Sequence, residues 1–420
     1  LVLLFRGMGQ LARGEHLPIA AGTWYWNPSR AIPGEPITEF PFFTFLYADF
    51  HAHLIAMPIV LAAVAWCLSL ILLKKRDEQL QLNFKIMGIP ILVIGAVVLG
   101  ALQPTNTWDY LTFTALALCV LVYIGWRYLP SVQWQFLPAW TRRWIAPVFS
   151  AVGLFFLTRV FYFNFNRFFF PGYNSVGFWN GAKTPLKSYI THWGLILFVI
   201  TCWLIWETYQ WMASTHISKL EPYKKNRNLM VSLIVVIVVG FLVLLLLKVK
   251  VALIALPLCV LALFLIVTTD DDVKRLAYFM VGTGLLLTIV VELVYLVGDI
   301  GRMNVVFKLY HQAWMLLTLP MGLAAATLWL DLYRWRTRTQ IAFQVAFIVL
   351  FFIALLFPVL ATKDKITDRM DPNAPQTLDG MKYMETSQFA VNGIVMNLGQ
   401  DYRAIHWMQE KVQGSPVVLE

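Results

Sequence analysis

The sequence predicts an all-α polytopic membrane protein, and three observations carry that prediction. Its 420 residues are 59% hydrophobic and 13% charged, with a mean hydropathy of +0.66; an ordinary soluble domain carries about 25% charged residues. About ten apolar runs are each long enough to cross a bilayer, which takes about 20 residues of helix. Lys and Arg gather in every second connection between those runs, the pattern of an alternating topology. An aromatic content of 15% excludes a disordered chain. The net charge of +10 does not point to nucleic acid, because the cations sit in short clusters between apolar runs.

The elements follow in order. The chain opens on Leu1-Val2-Leu3-Leu4-Phe5 without a methionine, a basic n-region or a cleavage site, so it is expected to begin as the stub of an earlier helix and to be a fragment. An aromatic loop completes the first segment, 1–53. Spans follow at 54–73, 86–103, 110–126, 144–163, 189–212, 228–247, 251–269, 276–297, 306–330 and 340–361, making a helical domain over 54–361. Lys248-Val249-Lys250, between the sixth and seventh, demands a tight turn at a membrane face. Cys67, Cys119, Cys202 and Cys259 all lie in apolar runs without disulfide or metal spacing and read as small core hydrophobes. Residues 362–420 are expected to be water-soluble. There, Asp401 to Val412 has the pattern of an amphipathic helix with Ile405, Trp407 and Met408 apolar, and Gly414 stops it. Pro416-Val417-Val418-Leu419-Glu420 reads as the opening of a strand, so the tail is the start of a small outward-facing α/β domain that continues elsewhere.

Orientation follows from the cations. Lys74, Lys75, Arg76, Lys85, Arg127, Arg142, Arg143, Lys219, Lys224, Lys225, Arg227, Lys274, Arg275, Arg334, Arg336 and Arg338 put about 16 positive charges on one side, against about 8 opposite. The basic side is expected to be cytoplasmic and the protein a multi-pass protein of the cell membrane. Residues 13–53, 103–109, 164–188 and 298–305, with the tail, then face outward. On the cytoplasmic side, Asp270-Asp271-Asp272 reads as a solvated helix cap rather than a cation site.

The outward loops hold the unusual polar residues. The first runs from Trp24-Tyr25-Trp26 through Glu39-Phe40-Pro41-Phe42-Phe43 to Asp49-Phe50-His51-Ala52-His53. It is too aromatic for a mobile loop and is expected to be buried or to line a wet cavity. The second, Gln103 to Asp109, places Trp108 and Asp109 at a helix start, where Asn106 or Thr107 as a plain N-cap is the alternative. The third holds Arg167, Tyr173, Asn174, Lys183 and Lys187. The fourth, 292–314, is the densest. Glu292 falls inside an expected span, and ionisable groups there normally face a partner or a water-filled cavity. Lys308, His311 and Gln312 share a helix face by i, i+3 and i+4 spacing, and with Arg302 form a cationic pocket suited to a phosphate. An internal Glu292–Lys308 ion pair that locks two helices is the alternative.

Asp49, His51 and His53 are the candidate catalytic residues. A helix beginning near Ala48 would put Asp49 and His53 on one face, and an extended backbone would put all three on one side. Two chemistries fit: Asp49 and His53 as ligands of a divalent cation (Mg or Mn) that steadies a phosphate, or His53 as a direct phosphate contact. General-base work by Asp49 is a third. Asp49 as an N-cap beside interfacial histidines is the plain alternative.

These same residues carry a resemblance. Glu-Phe-Pro-Phe-Phe (39–43) with Asp49-Phe50-His51-Ala52-His53, Thr105-Asn106-Thr107-Trp108-Asp109, Glu292-Leu293-Val294-Tyr295, Arg302-Met303-Asn304, Phe307-Lys308 and Gln312-Ala313-Trp314 resemble, in order, motifs of the uncharacterised YYY-type integral membrane proteins. Thr377-Leu378-Asp379-Gly380 and Ile405-His406-Trp407 resemble that family's tail. The family is grouped with the GT-C glycosyltransferases. The resemblance implies a GT-C-like fold and transfer of a sugar from a polyprenyl-phosphate donor on the outer face of the membrane. It also implies substrate contacts at Glu39, Trp108, Asp109, Glu292, Arg302, Asn304, Lys308, His311 and Gln312. The tyrosine run that names the family and the acidic first outward loop of GT-C enzymes are both expected ahead of Leu1.

Three functions remain open on these grounds. A lipid-linked sugar transferase accounts for the outward polar residues, with membrane lipids and a polyprenyl-phosphate sugar as its partners. A non-catalytic subunit of a larger membrane complex, with an N-terminal partner chain or other membrane subunits, accounts for a chain that begins mid-fold. A transporter requires polar groups at mid-membrane depth and internal repeats, and no repeat is found.

Overall fold

The computed structural model describes residues 9–10, 12–15, 23–34, 36–80, 84–128, 136, 138–170, 172, 175–216 and 226–417. The stub expected at Leu1–Phe5, together with Tyr173, Asn174, Lys219, Lys224, Lys225 and Val418-Leu419-Glu420, lies outside the described residues, as do the side chains of Lys74, Lys75, Arg76 and Lys85.

Ten apolar helices stand where hydropathy marks them: α1 (Ala52–Leu80), α2 (Phe84–Thr105), α3 (Thr107–Tyr128), α4 (Ala139–Phe161), α5 (Leu186–Ser214), α6 (Arg227–Leu246), α7 (Ala252–Thr268), α8 (Asp272–Val290), α9 (Arg302–Asp331) and α10 (Thr337–Arg369). Among the described residues nine helices are long and apolar enough to cross a membrane, and α7, at 17 residues, is the shorter one. The chain is an all-α polytopic membrane protein. Helices prevail because a segment in lipid has to pair its own backbone N–H and C=O groups.

The chain divides into two compact units, one spanning Trp26–Leu356 and one combining Leu1–Tyr25 with Phe357–Glu420. In the larger unit, contacts at the helix ends show the spans alternating in direction. At one end Tyr123 of α3 donates to Asp272 of α8 at 2.6 Å, Lys274 of α8 pairs with Glu207 of α5 at 2.6 Å, and Trp206 of α5 donates to Asp331 of α9 at 2.9 Å. Asp271 caps α8 by accepting from the backbone of Val273 and Lys274, and Asp272 is tied to Tyr128 and Arg275. The aspartate run is thus a helix cap. At the opposite end the starts of α1, α3, α5 and α9 meet the ends of α2 and α8.

The core has two parts. One packs α5, α7, α8 and α9 around Trp193, Trp203, Tyr278 and Tyr310; the other packs α1, α2 and α3 against Met280 of α8 and Met315 of α9. By contrast, the apolar window of α6 is 0% buried and that of α10 is 6% buried. Lipid tails are as apolar as leucine, so such surfaces carry no hydrophobic penalty in a bilayer.

The eighth span ends earlier than its hydropathy suggests. α8 stops at Val290, and Val294–Val297 is a strand, β2, paired antiparallel with β1 (Ser175–Phe178) in the register Ser175↔Val297 to Phe178↔Val294. The run 291–297 is apolar enough for a helix, but a β-branched segment with a partner strand satisfies its backbone equally well. Gly298 and Gly301, at φ of 92° and 63°, then turn the chain into α9.

In the second unit the backbone N–H of Trp24 donates to Asp364, and the Tyr25 hydroxyl donates to Asp368 at 2.8 Å. The tail forms a hairpin, β3 (Gln388–Val391) and β4 (Ile394–Asn397), followed by α11 (Leu398–Lys411). The amphipathic helix is present, three residues earlier than its pattern suggested. No strand is assigned at 415–417.

Candidate functional site

The first polar segment is shaped by a helix that ends abruptly. Phe40 lies extended and Pro41 opens a short helix, Pro41–Tyr47, which stops at Ala48 in the left-handed region (φ 60°). Asp49, Phe50 and His51 then form an irregular link into α1. Neither regular geometry expected for Asp49, His51 and His53 is therefore adopted, because the turn at Ala48 separates the two helices. The Asp49 carboxylate meets His51 Nδ1 at 3.1 Å, with both side chains half-exposed. His53, in the first turn of α1, is 3% exposed.

His53 is the link between this segment and the bundle. Its Nε2 lies 3.3 Å from the Thr44 hydroxyl and 3.7 Å from Glu39. Its ring stands 4.9 Å from His51, 4.9 Å from His311 and 4.6 Å from Phe307, centroid to centroid. Glu39 also faces Arg30 at 3.8 Å. Burial pushes the Glu39 carboxyl above its ordinary range, against the opposing field of Arg30.

Helix α9 supplies the other wall. Lys308, His311 and Gln312 share one face, as their spacing predicts, and all three are buried. The Thr112 hydroxyl of α3 donates to Gln312 Oε1 at 2.6 Å. One turn earlier, Asn106 donates to the buried Asp109 carboxylate at 2.8 Å, so the Asn106 amide serves Asp109. Both ring nitrogens of His311, His53 Nδ1 and Gln312 Nε2 are buried without a hydrogen-bond partner. Among the described residues, Lys308 has no carboxylate in ion-pair range; its ammonium lies 4.7 Å over the Phe307 ring, in the field of Asp109, Glu39 and Asp299.

Two expectations are corrected here. Glu292 lies just past the end of α8 and pairs with Arg302 at 2.6 Å, so the Glu292–Lys308 pair is not formed. Arg302 also donates to Thr184 at 2.7 Å and to the Val291 carbonyl at 3.1 Å, which removes it from the pocket with Lys308 and His311. Six residues along a helix turn a side chain by about 240°, so Arg302 and Lys308 cannot share a face. Thr184 donates its backbone N–H to Glu292 at 2.9 Å, and Lys183 donates to the Glu292 carbonyl at 2.6 Å.

The structure thus brings Glu39, Asp49, His51, His53, Asp109, Lys308, His311 and Gln312 to one end of the bundle. Glu292 and Arg302 form a second, closed cluster. Asn304 donates to Asp299 at 2.7 Å, bracing the turn before α9, and Trp108 packs on the aromatic core. Asp49 is engaged with His51, and no group of three or more His, Cys, Asp or Glu side chains suited to a metal ion is found among the described residues.

Sequence reasoning missed several participants. His192 of α5 accepts from Trp314 Nε1 at 2.8 Å, and Phe40 stacks on Trp314 at 5.5 Å, clamping the first segment against α5 and α9. A lone histidine within an apolar run was the available signal for His192. Thr112 and Thr184 gave none, because their partners lie far away in the chain, and Thr44 gave none because the turn at Ala48 that brings it to His53 has no regular period.

The fold and the buried polar cluster define a multi-pass helical membrane protein with a candidate site at one end of its bundle. The chain belongs to the family described as "Uncharacterized membrane protein (DUF2298)", which matches residues 3–317 and so includes every residue of both clusters. No curated protein and no solved structure matches it.

Proposed function

We propose that this protein is a GT-C-type glycosyltransferase, as the motifs it shares with the YYY-type membrane proteins imply. It takes a sugar from a polyprenyl-phosphate donor at the membrane face opposite the basic connections, the extracytoplasmic face of a cell membrane. The observation that carries this function is the set of buried groups without partners. His53 of α1 and His311 of α9 converge with buried ring nitrogens that lack hydrogen-bond partners, beside Gln312 and beside Lys308, whose buried ammonium has no carboxylate in ion-pair range among the described residues. Unsatisfied buried polar groups are costly, and a phosphate supplies acceptor oxygens and negative charge together.

The chemistry then divides across the cluster. In transfer, the acceptor hydroxyl oxygen forms a bond to the sugar C1 as the bond between C1 and the phosphate oxygen breaks, and that electron pair leaves with the lipid phosphate. Lys308, with His311 and Gln312, stabilises the charge that develops there. The half-exposed Asp49–His51 pair at the mouth takes the proton of the acceptor hydroxyl. Phe40, Trp314 and Phe307 supply flat apolar surface for the sugar or the first isoprene units.

Binding of polyprenyl phosphate to the full chain in detergent tests the donor site. Wild type is expected to bind it, and Lys308→Gln and His311→Ala each to weaken it about tenfold or more, as loss of a charge-assisted hydrogen bond requires. Unchanged binding by correctly folded Lys308→Gln sinks the proposal.

A further inference from the structure

A cationic cavity lies apart from the Lys308 cluster. The link after β1 and the turn between α6 and α7 border an open cavity of about 710 Å³, lined by Lys183, Lys248 and Lys250 with Trp179, Leu246 and Leu247 among others, and no carboxylate is among its lining residues. The turn alternates. Val249 and Val251 are 0% exposed and plug into the core, while Lys248 and Lys250 point outward. Lys248 takes a left-handed backbone conformation, φ 62°. That conformation favours Gly or Asn and costs a lysine roughly 1–2 kcal/mol, so local preference does not account for the residue found there. Leu246, 81% exposed, continues the uncovered apolar surface of α6 up to the cavity edge.

We propose that this cavity binds the phosphate headgroup of an anionic membrane lipid. Its acyl chains run down the bare face of α6. Its phosphodiester sits among Lys183, Lys248 and Lys250, with Trp179 at the level of the membrane interface, where indole rings favour the headgroup zone. Lys248 and Lys250, beside Lys183, whose ammonium already donates to the Trp179 and Glu292 carbonyls, line a cavity with no carboxylate among its lining residues and select for a headgroup with net negative charge. Lys183 places this lipid beside the start of α9, because it also holds the Glu292 carbonyl and Glu292 pairs with Arg302. The site stands whichever reaction the Lys308 pocket performs.

Native mass spectrometry of the full chain in detergent, titrated with phosphatidylglycerol or phosphatidylcholine, tests this. Wild type is expected to retain phosphatidylglycerol in preference. The double variant Lys248→Asn with Lys250→Gln keeps a residue suited to the left-handed turn and removes two charges. Each lysine near the lipid surface contributes about 1 kcal/mol, so the double variant is expected to bind about 30-fold more weakly. Lys250→Gln alone, at an ordinary backbone position, is expected to lose about fivefold. Equal retention of the two lipids by wild type, or unchanged affinity in folded Lys250→Gln and in the double variant, overturns the proposal. Displacement of phosphatidylglycerol by millimolar inorganic phosphate overturns the assignment to a lipid.

Discussion

Lys308 and Arg302 are both buried cations on α9, and their surroundings give them opposite consequences. Arg302 is matched by Glu292, Thr184 and a carbonyl. Glu292→Gln therefore leaves a buried guanidinium without its counter-charge, and a loss of about 3 kcal/mol is expected. The double variant Glu292→Met with Arg302→Met is expected to recover most of that loss. Thermal unfolding of the three proteins in detergent checks both statements, and a double variant no better than the single one refutes them. Lys308 has no such match, so Lys308→Met removes a desolvated charge. It is expected to raise the unfolding temperature, by a stabilisation on the order of 1 kcal/mol, while polyprenyl-phosphate binding disappears. A lowered unfolding temperature shows instead that Lys308 holds the fold together. The sequence marked Lys308, His311 and Gln312 as one face because helical spacing is local. It did not reveal which acid each cation would find, since Glu292 and Arg302 meet through an irregular turn.

At the scale of elements, helix contacts depend on small residues. A Cβ on Gly284 of α8 would lie 2.8 Å from the Leu317 Cγ of α9. Gly284→Val is thus expected to push α9 away and cost about 2 kcal/mol; an unchanged melting curve contradicts that packing. Since α9 carries Lys308 and His311, the same variant is expected to weaken phosphate-lipid binding. The ten apolar helices were legible because a bilayer demands about 20 apolar residues in a row, a signal held within each segment. The β1–β2 pair was hidden: its strands are more than 100 residues apart, and the apolar run at 291–297 looks like helix until a partner strand is present. The β3–β4 hairpin was legible and was missed. Val391-Asn392-Gly393-Ile394 carries the Asn-Gly turn signal, and both turn residues have positive φ, 51° and 81°.

For the whole molecule, the charge pattern predicts an orientation that labelling can test. In a cysteine-free background, single cysteines at Ser175 and Ile300 are expected to react with a membrane-impermeant thiol reagent in intact cells, and one at Asp270 only after lysis. All three positions are exposed, and they fall at opposite ends of the bundle. Labelling of Asp270 alone in intact cells inverts the topology and moves the Lys308 pocket to the cytoplasmic face. The alternation itself rests on independent contacts: Asp272, Lys274 and Asp331 gather at one end, while His53, Gln312 and Thr112 gather at the other.

Composition, span lengths and helical spacing by themselves determined that this chain is a polytopic helical membrane protein, where its helices lie, and that Lys308, His311 and Gln312 lie on one face. Each of those properties is set by hydrophobicity and backbone geometry within a single segment. The tertiary structure decided which polar residues form the candidate site. It paired Arg302 with Glu292, turned Asp49 toward His51, and packed His53 against His311, with no carboxylate in ion-pair range of Lys308 among the described residues. Those outcomes depend on the irregular turn between Glu292 and Arg302, on how the left-handed turn at Ala48 aims the residues after it, and, for His53 and His311, on helix ends far apart in the chain; helical and strand periodicity encode none of them.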